Sequence, residues 1–211
     1  MSKRAAASAT GPAFLEPTFM FLIVAGFGLG TVLLPQTMRL AVLWTLLVVL
    51  SVIYRGHYEV DARFTLGSVG RGALLGLVIA APILAFLAGP LRSFTERLYD
   101  TRDVVLLFYQ VCFIAAPVEG FFFRGIVQGH RGSSVSIGLY AVMALIYFLP
   151  HVQILAAFIV FLAMGLLGIL YSYVADRYGL AASIACHVVV GFVLQVMPSL
   201  LSTLSIILSL P

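Results

Sequence analysis

Charged side chains are scarce in this chain: Asp, Glu, Lys and Arg make up 9% of its 211 residues, against about 25% in a soluble globular domain. That deficit excludes an ordinary soluble fold. Cysteine is nearly absent as well. Cys112 and Cys186 both fall inside apolar runs, where they act as small hydrophobes and exclude both a disulfide framework and a Cys-rich metal site. They leave the redox compartment open. No H-E-x-x-H stretch occurs, so the helical zinc-peptidase signature is missing. Residues 1–13, MSKRAAASATGPA, contain no apolar core leading into a cleavage site, so a short tail is expected rather than a secretory signal. Basic clusters are missing too. The 12 Lys and Arg behind the net charge of +4 are scattered singly, which argues against nucleic acid and instead reports orientation in a bilayer.

What the chain does have is apolar surface. It is 62% hydrophobic, with a mean hydropathy of +1.13, and a bilayer-crossing helix needs about 20 such residues. The expected fold class is therefore all-α, a polytopic transmembrane helical bundle of seven to eight helices. The runs read as spans at 19–34, 40–54, 72–88, 104–128, 135–149, 152–173 and 180–197, with a doubtful eighth at 199–210 whose length suits an interfacial or re-entrant piece. The whole of 1–211 reads as one integral-membrane domain: a three-helix region at 1–103, a core at 104–197 and a short apolar segment at 198–211. The connector GPLRSFTERLYDTRD fits a surface helix or a solvated linker equally well. Lys and Arg summed over alternate sides, with Arg39 counted among the outer loop charges, favour a cytoplasmic N-terminus. Gly26, Gly28 and Gly30, like Gly72 and Gly76, read as close helix packing, since no strand precedes them to make a nucleotide fingerprint.

Four ionisable side chains stand in or at the edge of the later apolar runs: Glu119, Arg124, His151 and His187. A charge inside a bilayer costs about 2.5–3.5 kcal/mol even on a lenient scale, so it persists where it is paired, wet or chemically employed. Glu119 follows Pro117 by two residues, and a proline loosens a helix and frees carbonyls that attract water. Arg124 lies five residues beyond Glu119, about 140° round an ideal helix, which makes a poor local ion pair. His151 follows Pro150 at a junction of two runs, one turn after Tyr147. His187 sits within the seventh run beside Cys186, with Ser183 one turn before it. One carboxylate and two imidazoles allow two chemistries. They can activate water for acyl hydrolysis, or two His and one Glu can hold a catalytic zinc ion.

The stretches EGFFFRG, YFLPH and HVVVG resemble, in this order, the motifs E-E-x-x-x-R, F-x-x-x-H and H-x-x-x-N/D of the CAAX protease and bacteriocin-processing (CPBP) family, the glutamic intramembrane proteases. The likeness covers about 104–197. It implies a protease in which Glu119 is the catalytic glutamate, Arg124 the motif arginine, and His151 and His187 the motif histidines. No cofactor is implied, with zinc as the alternative. The implied partners are the lipid bilayer and a membrane-anchored protein or peptide: a prenylated CAAX tail, a bacteriocin leader or a C-terminal sorting tail. The expected location is the cell (inner) membrane, multi-pass; the oligomeric state is left open. Three positions depart from the pattern: Gly120 for the second glutamate, Tyr147 for phenylalanine and Gly191 for Asn or Asp. Losing an oxyanion donor costs about 10²–10³ in rate, and Gly120 and Gly191 together motivate a second reading, a catalytically impaired membrane scaffold or immunity protein.

Overall fold

A computed structural model describes residues 15–60, 62, 64–101, 103–149 and 153–208. Among them the chain forms seven helices and no strand. These are α1 (Pro17–Gly30), α2 (Gln36–Arg55), α3 (Leu66–Tyr99), α4 (Val104–Arg131), α5 (Ser133–Phe148), α6 (Ile154–Tyr178) and α7 (180–208). Five of them, α2, α3, α4, α6 and α7, are long and apolar enough to cross a membrane, while α1 and α5 are shorter. Residues 197–208 do not form a separate eighth helix; they continue α7.

Local chemistry sets the helix ends. Glu16 caps α1 by accepting the N–H of Phe19 at 3.0 Å, with Pro17 in the first position, where a missing N–H costs nothing. Asp103 caps α4 by accepting the N–H groups of Val105 and Leu106. Single glycines join α4 to α5 and α6 to α7. Gly132 and Gly179 have φ of +89° and +91°, a conformation that a side chain would strain, so each pair of helices can reverse direction within one residue.

α3 is longer than its apolar run suggests. It has 34 residues, about 51 Å of rise against a hydrocarbon core of about 30 Å. Its backbone leaves helical geometry at Leu87 (φ −123°, ψ 17°), shortly before Pro90, whose ring cannot sit against an intact preceding turn. The segment after this break was the connector of ambiguous character; it is helical, with an Arg92–Glu96 pair at 2.7 Å on one side and buried Thr95, Leu98 and Tyr99 on the other. Phe94 of the same segment stacks on Phe148 of α5 with ring centroids 4.5 Å apart.

The tightest helix contact joins α3 to α7. A Cβ on Gly72 would lie 1.9 Å from the carbonyl oxygen of Ala182, and one on Gly76 would lie 2.8 Å from that of Cys186, so the backbones touch as small-residue packing allows. Of the first glycine group only Gly28 makes such a contact, against Ile146; Gly26 and Gly30 face open space. Overpacking costs about 1–3 kcal/mol, so Gly72→Ala is expected to lower the thermal midpoint measurably. Gly26→Ala should leave it unchanged. Equal melting of both variants in a detergent thermal-shift assay would contradict the contact.

Candidate active site

The helix that carries Glu119 is not a uniform α-helix. Within α4, wide π-turns at Tyr109–Ala115 and Gly120–Val127 flank a short α-turn, Ala116–Glu119. Pro117 supplies the cause: without its N–H the regular ladder cannot run through it, and i→i+5 bonding takes over on either side. The result is a widened helix at the carboxylate, which turns Glu119 inward, 6% exposed.

Three other helices reach that carboxylate. Trp44 of α2 donates its indole N–H to Oε1 at 3.4 Å. His187 of α7, 9% exposed, brings Nε2 to 3.9 Å from Oε2, beyond direct hydrogen-bond range and at a spacing that one water or reacting atom bridges. Tyr147 of α5 lines the same cavity, and its buried hydroxyl faces the Glu119 carboxylate. Tyr99, from the post-break part of α3, and Gln195 of α7 complete the polar wall and bond to each other at 2.8 Å. About 50 Å³ of the cavity is open to the centres of water molecules, and one water needs about 10–15 Å³ on that measure. The space accepts a few waters and is too small for a peptide; Phe94, Leu98 and Tyr99 are among the side chains that line it.

His187 is held by aromatic rings. Tyr171 of α6 stacks on the imidazole at 4.4 Å, and the Tyr140 hydroxyl lies 3.3 Å from Nε2. Ser183 does not serve the histidine; its hydroxyl donates to the carbonyl of Tyr171 at 2.8 Å. Arg124 stands behind the rings. Although the π-turn brings an i,i+5 pair nearer to one face than an α-helix would, Arg124 forms no ion pair with Glu119. Its guanidinium donates to Ser136 at 3.2 Å and lies 4.5 Å from the Tyr140 ring centre and 5.6 Å from that of Tyr171. A buried cation against two aromatic faces is favourable, and it locks the two rings that hold the imidazole. His151 lies outside the described residues.

Sequence reasoning missed Trp44, Tyr99, Tyr140, Tyr171 and Gln195, and it mistook Arg39. That arginine is not a loop charge but is fully buried. It donates to the carbonyl oxygens of Tyr147 at 3.0 Å and Gly28 at 3.1 Å and also to that of Ile146, with Gln36 adding a second donor to Tyr147 at 3.2 Å. These acceptors belong to the last turns of α5 and α1, where carbonyls lack helical partners and the helix dipole favours a cation.

Both glycine departures are built into the packing. A Cβ at Gly120 would lie 2.9 Å from Cγ1 of Ile184, and one at Gly191 would lie 2.8 Å from Cγ1 of Val111. No larger residue fits at either place without repacking. Among the described residues no three His, Cys, Asp or Glu side chains gather to hold a metal ion; Glu119 and His187 come together, and the third candidate ligand, His151, is outside that set.

An all-helical bundle with five helices apolar enough to span a membrane and a carboxylate facing an imidazole in a buried cavity defines a class, the polytopic membrane protein with an intramembrane polar site. The family comparison narrows it. Residues 101–193 match the model of the family described as type II CAAX prenyl endopeptidase Rce1-like, within the CPBP family that the motifs resemble. The matched segment contains Glu119, Arg124, Tyr140, Tyr147, His151, Tyr171 and His187 and ends before Gln195. No curated protein and no solved structure matches the chain.

Proposed function

We propose that this chain is a membrane-embedded endopeptidase that cuts a peptide bond close to its substrate's membrane anchor, with Glu119 as the base. One observation carries the reading: Glu119 and His187, from separate helices, face each other across 3.9 Å in a cavity of water-holding size, within the segment similar to a prenyl endopeptidase family. Glu119, with His151, takes a proton from water as the water oxygen bonds to the scissile carbonyl carbon and the carbonyl electron pair moves onto its oxygen. His187, with its proton on Nε2, donates to that oxyanion. Collapse restores the carbonyl and breaks the C–N bond. The proton held by the base passes to the departing amine, leaving one carboxylic acid and one amine.

Arg124 acts in this scheme as a positioning residue through Tyr140 and Tyr171, and it touches no reacting atom. The substrate is a membrane-tethered peptide, a prenylated CAAX tail, bacteriocin leader or C-terminal sorting tail, at the cell (inner) membrane.

The test uses purified protein in proteoliposomes with each kind of tethered peptide. Cleavage in H₂¹⁸O is expected to place one heavy oxygen in the new carboxylate, at a rate unaffected by excess EDTA. Failure to cut any of the three peptides would sink the proposal, while loss of cleavage with EDTA and recovery with Zn²⁺ would move the site to the zinc alternative.

A further inference from the structure

Gly191 leaves position 191 without a side chain, one turn from His187, at the place where an oxyanion donor would stand. Among the described residues, the cavity wall contains one side-chain amide. Gln195 is a turn further along α7, and both residues line the cavity that holds Glu119 and His187. On an uninterrupted α-helix Gln195 would sit about 80° round from His187. The wide turn Phe192–Val196 adds one residue to the turn and reduces that offset to about 20°. Side chains on a helix lean toward its N-terminus, so the long Gln195 side chain leans back along α7 toward the turn of Gly191, while Val111 fills the place that a Cβ at position 191 would take.

The amide is also oriented. Tyr99 donates its hydroxyl hydrogen to Oε1 of Gln195 at 2.8 Å, which commits the oxygen end of the amide to Tyr99. The NH₂ end has no hydrogen-bond partner among the described residues. An amide whose acceptor is engaged and whose donors are unpaired, in the wall of a cavity with a base and an imidazole, is arranged to donate. We propose that Gln195 supplies the second oxyanion donor of the reaction, oriented by Tyr99, in place of the side chain that Gly191 lacks. This rests on the endopeptidase reading above. It makes Gln195 a catalytic residue and Tyr99 a positioning residue.

Gln195→Met discriminates well, because methionine keeps the length of the side chain, presents no donor and adds no charge beside Glu119. With the tethered peptide as substrate, kcat is expected to fall about 10²–10³-fold with KM unchanged. Tyr99→Phe should lower kcat by less, also at constant KM, whereas a purely structural role would lower the melting temperature of both variants in step with activity. A second arm tests the location. In a Gln195→Ala background, Gly191→Asn combined with Val111→Ala, which opens the 2.8 Å contact at that position, is expected to recover at least tenfold of the lost kcat. Wild-type protein and Glu119→Gln are run beside these variants. If wild type cuts, Glu119→Gln is inert and Gln195→Met keeps full kcat, the oxyanion assignment is wrong and the protease reading stands. If wild type does not cut, or Glu119→Gln cuts as well as wild type, both fall together.

Discussion

Glu119→Gln is expected to abolish turnover, with a loss of at least about 10²–10⁴ in kcat, the usual contribution of a general base. The substitution is informative because almost nothing else changes. Glutamine has the same length and branching, and its carbonyl oxygen can still accept the Trp44 indole N–H now bonded to Glu119 at 3.4 Å. Burying a carboxylate among Trp44, Tyr147 and His187 carries a desolvation cost, and a neutral amide relieves it. The variant should therefore fold as well as wild type, with an equal or higher melting temperature. Rising stability with lost turnover is the signature of a group kept for chemistry. A side chain kept for packing would show the reverse, and full retained cleavage would end the glutamate mechanism. Trp44→Phe, which removes one donor and leaves the base, should give a much smaller loss.

How much of this was legible in the sequence depended on what each residue had to meet. Helices were readable because apolar length alone specifies a span, and the wrong boundaries arose where length and apolarity separate. In α3 the hydropathy drops at Gly89 and charges follow, yet the helix runs on to Tyr99 because Thr95, Leu98 and Tyr99 bury against the bundle while Arg92 and Glu96 pair outside. Glu119 and His187 stood out because charge and imidazole are conspicuous among apolar neighbours. Trp44 did not, since an aromatic in an apolar run looks like any lipid-facing residue until a partner is known, and Tyr99 did not because it stands in a charged connector. That partner lies 75 residues away for Trp44 and 96 away for Tyr99. The π-turns were equally hidden. A spacing argument built on 3.6 residues per turn places Glu119 and Arg124 on different faces, and it cannot show that Pro117 widens the helix or that Arg124 turns to Tyr140.

The site's parts also form one connected arrangement rather than a set of separate motifs. Arg124 packs on Tyr140 and Tyr171, these hold His187, and His187 faces Glu119, which Trp44 bonds from the opposite side. Each contact joins different helices, so the geometry at the carboxylate depends on how α2, α4, α5, α6 and α7 are fixed to one another. Catalytic geometry tolerates little error: a misplacement of about 1 Å can cost about 10² in rate.

Arg39→Met tests that dependence where it should be greatest. The guanidinium is fully buried and joins the carbonyls of Gly28, Ile146 and Tyr147, tying the end of α1 to the end of α5. Methionine fills similar apolar volume but donates nothing. Tyr147 keeps the Gln36 bond, and Gly28 keeps only a long 3.5 Å contact from Thr31. For Ile146 no substitute donor outside the helix stands among the described residues. A buried acceptor left without a donor costs about 1–3 kcal/mol, so the expected destabilisation is about 2–4 kcal/mol after the relief of burying no charge. In a chain of this size that is a fall of about 5–15 °C in melting temperature. Turnover should fall further than stability explains at temperatures where the variant is folded, because the freed end of α5 carries Tyr147 in the cavity wall and leads directly toward His151. Arg39→Lys should recover only part of either loss, since an ammonium is a point charge where a planar fork now spans two helix ends. Wild-type melting and wild-type turnover in the methionine variant would show that the clamp is incidental and that α5 is positioned by its packing alone.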